Sequence, residues 1–325
     1  MDIVSLDYIN SPGPSFLGWY DSPDSVDEQL AQMPIPLAQG NLPKLDEKKE
    51  VLLYEIVRQI INMDLPAGPQ GIGDCVSWGW SNLINTVACV QISESLKAQN
   101  LLTVAPDDIE GQLRRSAIIE EYQEAATEVL YALMRCEVGG QWGSRSDGAV
   151  GAWAAKAATD FGSLSRPALI KAGLSGTYDP KRAKDWGAKG LPDALEPAAK
   201  QRILKTTSLI QTFEEAVTSI QNGYPVAVCS NRGFTMTRDS QGFCLPDGTW
   251  YHCMLFFANR WDRPGLCCKQ SWGKTTPGGP LAKNQPTNTF WVDEKVVNYM
   301  LKQRDSFNGS NFQGYPAQDI VTWKH

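Results

Sequence analysis

The feature that most limits how this chain can fold is the run from Cys75 to about residue 98. Trp78, Leu83, Ile84, Val87, Ala88, Val90 and Ile92 recur at helical spacing over a wide arc. That arc predicts a helix buried on most of its circumference, around which the other elements must be wrapped. The preceding stretch, Gln70-Gly71-Ile72-Gly73-Asp74, is turn-rich, with further glycine at 68 and prolines at 66 and 69. It delivers Cys75 to the start of the helix. A thiol in the first turn faces unpaired backbone N–H groups and the positive end of the dipole, and both favour the thiolate. A free cysteine is more often a small buried hydrophobe. The glycine-lined helix start argues for a reactive thiol.

Elsewhere the chain divides by period. Residues 1–45 are rich in Pro, Asp and Ser, with a weak helix start at Ser25-Val26-Asp27-Glu28, and read as an extended N-terminal arm. Asp46 to Met63 predicts a helix, with Val51, Leu52, Ile56, Ile60 and Ile61 in phase. Residues 115–136 predict one continuous helix with Ile118, Ile119, Tyr122, Ala126, Val129, Leu130, Leu133 and Met134 on one face. Residues 149–161 predict another, ended by Gly162. Ser163 to Lys205 is irregular and reads as a surface crossing. After it, Thr212-Phe213-Glu214-Glu215 is a capping box opening a helix to about Gln221. Strand-like runs follow at Pro225–Cys229, Phe234–Thr237, Tyr251–Ala258, Leu266–Gln270 and Thr289–Val292. An α+β fold is expected, with the arm at 1–45, a helical lobe at 46–205 and a β-rich lobe at 206–325.

At 325 residues the chain exceeds the usual single domain, so one large or two closely packed domains are expected. The net charge is −6 and no Lys or Arg stripe occurs, which argues against nucleic acid or an anionic membrane as partner. No apolar run has the length of a membrane span, and the acidic start Met1–Asp7 is unlike a secretory signal. Eight cysteines without an export signal read as reduced thiols in a cytoplasmic protein. With no Cys-x-x-Cys pair and only two histidines, His252 and His325, no metal site is expected, and no cofactor.

A thiol nucleophile needs a base and a group that orients the base. His325 is the last residue, where fraying is expected, so His252, at the start of an apolar strand, is the candidate. Lys269-Gln270-Ser271-Trp272-Gly273 ends the next strand. Its Gln270 amide oxygen could fix the imidazole tautomer, and Trp272 could exclude water from that bond. Gln70 lies five residues before Cys75, and its amide could join the Cys75 N–H in holding an oxyanion.

Together these stretches resemble the papain-like cysteine proteases over residues 65–300. Gln70-Gly71 through Cys75 resembles the oxyanion glutamine and nucleophile signature. Lys269–Gly273 resembles the family's Lys-Asn-Ser-Trp-Gly motif, and Gly223-Tyr224-Pro225-Val226 resembles its entry to the β lobe. The resemblance implies a two-lobe fold with a cleft between a helical lobe and a β-barrel-like lobe. It also implies that Cys136-Glu137-Val138-Gly139-Gly140 supplies glycine backbone pairing with substrate as an antiparallel strand. A P2 pocket would then draw on Gln141, Trp142, Tyr251 and Cys253, with Trp272 beside the histidine. Three departures stand out: Gln270 where the family has Asn, a Gln70–Cys75 spacing one residue short, and Ile72 where the family's disulfide partner of Cys136 would be. The helical propeptide pattern is missing from residues 1–60.

The resulting expectation is a thiol endopeptidase acting on protein or peptide substrates through an acyl-enzyme at Cys75. His252 serves as base then acid, Gln270 orients it and Gln70 holds the oxyanion. The alternatives are a papain-like fold kept as a structural part of an assembly such as a phage particle, contacting its partner through the arm, and a thiol amidase acting on peptidoglycan peptides.

Overall fold

A computed structural model of the chain describes residues 18–33, 45–46 and 48–312, with backbone only at 311 and 312. Much of the predicted arm, and His325, lie outside the described residues. The fold is α+β: helices dominate up to Ala199, and an antiparallel sheet dominates thereafter. The sheet has seven strands: β1 (Val51–Leu52), β2 (Leu204–Leu209), β3 (Val226–Phe234), β4 (Pro246–Arg260), β5 (Gly265–Lys269), β6 (Thr289–Asp293) and β7 (Phe307–Phe312). The order is β2-β7-β3-β4-β5-β6, with β1 added to the end of β4.

The central helix runs from Cys75 to Ala98 with its first 19 residues all buried, as the width of its apolar arc predicts. It packs on β4 and β7 and is flanked by the helices Leu53–Ile61 and Thr127–Ala132. Gly79 lets helix and sheet close up, since a Cβ there would lie 2.7 Å from Cys253 Sγ. Cys253 of β4 thereby packs directly against the helix.

Several elements depart from their sequence reading. The helix expected over 46–63 is shortened to Leu53–Ile61. The Lys49 carbonyl accepts from Gln221 Nε2, Asn259 Nδ2 and Trp261 Nε1, which holds the backbone extended and leads it into β1. The single helix expected over 115–136 is two, Ile109–Ile119 and Thr127–Ala132, the second running on through a π turn to Val138. Between them the N–H groups of Ala125 and Ala126 donate to Asn85 Oδ1 and the Leu164 carbonyl, so tertiary partners take donors a continuous helix would need.

The segment 163–205 is no plain surface crossing. It contains helices Arg166–Lys171, Pro180–Lys189 and Glu196–Ala199, the first two capped by Ser165 and Asp179 ahead of a proline. Fully buried Glu128 accepts from Arg166 Nη1 at 2.6 Å, Arg182 Nη2 at 2.5 Å and the Asp179 N–H at 3.0 Å, pinning the segment to the core. The arm is likewise more than an extension. Pro23–Leu30 is helical, packs on the helix Gly151–Lys156, and buries Val26, while Trp19 is only 2% exposed.

Candidate active site

Cys75 is the first residue of the central helix, with Asp74 at its N-cap. Asp74 is buried and accepts from Tyr178 Oη at 2.8 Å, and Tyr178 stacks edge-on against Trp78, which steadies the turn before the thiol. The backbone N–H groups of Gly18 and Cys253 lie near the sulfur and favour its thiolate form. Burial, with Cys253 beside it, pushes the thiol well above its ordinary range. This reverses the lowered value expected from the helix start. Dipole and N–H groups favour the thiolate, but a sulfur sealed from water loses more than they return.

The chain's own N-terminal segment runs beside the thiol. Gly18 and Trp19 both donate to the Tyr251 carbonyl, at 3.1 and 3.2 Å, from one wall. On the other, Ala149 donates to the Gly18 carbonyl at 2.8 Å and accepts from the Tyr20 N–H at 2.9 Å, a parallel bridge centred on Trp19. Gly18 fits so closely that a Cβ there would fall 2.0 Å from the Gly73 carbonyl oxygen. The Trp19 indole stacks against Tyr251 and donates from Nε1 to Asp305 Oδ2 at 2.6 Å. Asp305 also accepts from the N–H groups of Gly151 and Ala152 at 2.6 and 2.7 Å, capping that helix. Burial pushes its carboxyl up to about 7 against the pull of these donors.

His252 is completely buried on β4 opposite Ser230 and stacks on Trp272 with centroids 4.4 Å apart. Burial pulls its imidazole down to about 3. With the arm seated, thiol and imidazole are both neutral. The orienting bond expected from Gln270 is not formed. Gln270 donates from Nε2 to the Thr275 carbonyl at 2.7 Å, while its Oε1 and both His252 nitrogens find no hydrogen-bond partner among the described residues. The extra methylene relative to asparagine carries the amide to Thr275. Accordingly, Gln270→Ala should lower the rate of any peptide cleavage less than about tenfold, well below the roughly 10²–10⁴-fold contribution of a general base, by steady-state assay beside wild type.

Gln70 accepts from Ser271 Oγ and donates to the Ile72 carbonyl, both at 2.9 Å. The motif around it closes on the loop residue by residue. Lys269 Nζ donates to the Pro66 carbonyl at 2.8 Å, Pro69 bridges Trp272, and Gly273 N–H donates to Gly68 at 2.9 Å. The thiol-bearing loop and the tryptophan loop are thus one unit.

The expected substrate-binding residues scatter. Gly139 lies under the Trp153 ring, Gln141 bonds back to the Gly139 carbonyl, and Trp142 is 55% exposed against Gly190. Gly140, next to Gly139, has φ +63° with open space where a Cβ would point. The backbone edge that binds an extended segment is instead Gly148–Ala149, with the Tyr20 ring on Gly148. Cys253 faces the central helix rather than the cleft, whereas Tyr251 does flank it. Sequence reading missed Gly18, Trp19, Ala149 and Asp305. The adjacent aromatic pair Trp19-Tyr20 was the available signal, and Asp305 carried none. All eight cysteines are free and buried, Cys136 among them. Among the described residues no His, Cys, Asp and Glu groups converge as metal ligands, and no helix is long and apolar enough to cross a membrane.

No protein-family model and no curated protein sequence matches the chain. Solved structures do. Xylellain, a cysteine protease from Xylella fastidiosa, superposes with a TM-score of 0.54 at 12% identity, covering 94% of this chain and 100% of its own. Procathepsin B S9 from Trypanosoma congolense superposes at 0.53 and 9% identity, covering 92% of this chain and 87% of its own. The order of elements, the helix that begins at Cys75 and the strand that carries His252 therefore make up the papain-like cysteine protease fold.

Proposed function

We propose that this chain is a thiol endopeptidase that cleaves protein peptide bonds at Cys75. The observation that carries the reading is the segment Gly18–Tyr20. It is peptide backbone, extended, hydrogen-bonded to both walls and laid over the thiol, so the cleft has the complementarity of a polypeptide site. In the reaction His252 takes the Cys75 proton as sulfur bonds to the scissile carbonyl carbon. The Cys75 N–H and Gln70 hold the oxyanion, and the imidazole protonates the departing amine as the C–N bond breaks. Water then hydrolyses the thioester by the same steps reversed.

A retained fold without turnover is favoured by one observation, the unoriented His252 imidazole beside a Gln270 turned to Thr275. Cleavage of a reduced, carboxymethylated protein decides between them. Wild type and Gly18→Ala are assayed by mass spectrometry of fragments and by labelling with a peptidyl vinyl sulfone. Fragments and a label on Cys75, both lost in Cys75→Ala, are expected. Neither fragments nor label from either chain would leave the non-catalytic reading standing.

A further inference from the structure

We propose that the Tyr178 hydroxyl clamps the oxyanion loop, joining the Gly71 N–H to the buried Asp74 carboxyl and so fixing where the Gln70 amide stands relative to Cys75. Tyr178 and Asp74 are positioning residues, and the proposal rests on reading Gln70 and the Cys75 N–H as the oxyanion donors. Between Gln70 and the helix start lie only Gly71, Ile72, Gly73 and Asp74. Tyr178 Oη accepts from the Gly71 N–H at 3.3 Å and donates to Asp74 Oδ2 at 2.8 Å, so one group spans the loop up to the helix N-cap. Gly71 packs on the same segment, since a Cβ there would lie 2.8 Å from Pro180. Gln70 Nε2 is itself tied to the Ile72 carbonyl at 2.9 Å, so a loop that shifts carries the amide with it.

The clamp is anchored from behind. Both chain neighbours of Tyr178 are bonded to one buried ion pair, Glu128 with Arg182. The Thr177 carbonyl accepts from Arg182 Nη2 at 2.8 Å, and the Asp179 N–H donates to Glu128 Oε1 at 3.0 Å. The Tyr178 ring stands edge-on to Trp78, one turn into the central helix, with centroids 5.0 Å apart. Asp74 is fully buried, and its Oδ1 finds no hydrogen-bond partner among the described residues. An ionised carboxyl there would be poorly compensated, and burial raises it well above the usual carboxylate range. Asp74 therefore acts as a neutral acceptor, which also spares the neighbouring thiolate a like charge.

The test compares two reactions of Cys75 in the full-length chain. A peptide aldehyde adds to the thiol: sulfur bonds to carbon, and the carbonyl oxygen takes the electron pair on the oxyanion donors and then the thiol proton. Iodoacetamide alkylates the sulfur by displacing iodide and builds no oxyanion; its rate at Cys75 is mapped by mass spectrometry. Tyr178→Phe keeps the ring against Trp78 and removes only the hydroxyl. It should weaken aldehyde binding about tenfold, less than the roughly 10²–10³-fold of an oxyanion donor lost outright, and leave alkylation within about twofold. Asp74→Asn keeps the accepting oxygen and should match wild type in both. Equal aldehyde affinity in Tyr178→Phe and wild type overturns the clamp. So does a loss of affinity accompanied by a change in alkylation rate of the same size, the mark of a chain that has loosened. Asp74→Asn that binds aldehyde as poorly as Tyr178→Phe, or alkylates several-fold faster than wild type, overturns the neutral acceptor. Neither reaction needs turnover, so the split without protein cleavage leaves the clamp standing while the peptidase reading falls. Cleavage without the split does the reverse. A wild-type chain that binds no aldehyde has no oxyanion site to position, which overturns the clamp, and protein cleavage then judges the peptidase reading alone.

Discussion

Replacing His252 by alanine in the Gly18→Ala chain is expected to lower kcat about 10²–10⁴-fold, the contribution typical of a positioned acid–base group. Here the loss should sit at the upper end. A thiol supplies little thiolate unless a neighbour removes the proton, and His252 is the single histidine among the described residues. KM should barely move. The imidazole is stacked beneath Trp272, whereas the walls that grip an extended backbone are the Tyr251 carbonyl and Ala149. A steady-state assay on one protein substrate checks this, with the melting temperature as a control on folding. A loss under about threefold would mean the thiolate forms without the imidazole, contrary to the general-base contribution assumed for it.

What the sequence made legible and what it hid follow from the range of the interactions involved. The central helix, the strand of His252 and the Lys269–Gly273 turn are specified locally, by period and by short motifs, and the structure has them at those residues. The cleft edge was ambiguous. Glycines at 139, 140, 143 and 148 all permit close backbone approach, and spacing does not reveal that Trp153 covers Gly139 or that Ala149 pairs with Gly18 and Tyr20. The Gln270 amide turns to Thr275, a choice set by side-chain length and loop shape that no spacing reveals. The arm was read as an extension because it is rich in Pro, Asp and Ser. Trp19 is buried by contacts from residues 251 and 305, far along the chain. The electrostatic error has the same root. A helix start is visible in sequence, whereas the Gly18 backbone that dries the sulfur is not.

That dryness makes its own prediction. Lowering the pH from about 7 to about 4 should cost wild type about 3 kcal/mol of stability relative to His252→Gln. An imidazole with an ordinary value of 6.5, held at about 3 in the sealed site, stays neutral when folded. The unfolded chain binds a proton there once the pH falls below its ordinary value, while the folded chain resists until near 3. Stability from this group is therefore fully present above 6.5 and drains away as acid is added. Asp305 works in the opposite sense. Its carboxyl, raised from 3.8 to about 7, lets the folded chain bind a proton first, so its contribution rises as pH falls through that window. The two trends oppose each other in wild type, and a bare acid titration would hide both. Comparing urea unfolding of wild type and His252→Gln at each pH isolates the histidine, because Asp305 is common to the pair. A gap that stays constant across the range would show that water already reaches His252 in the resting protein.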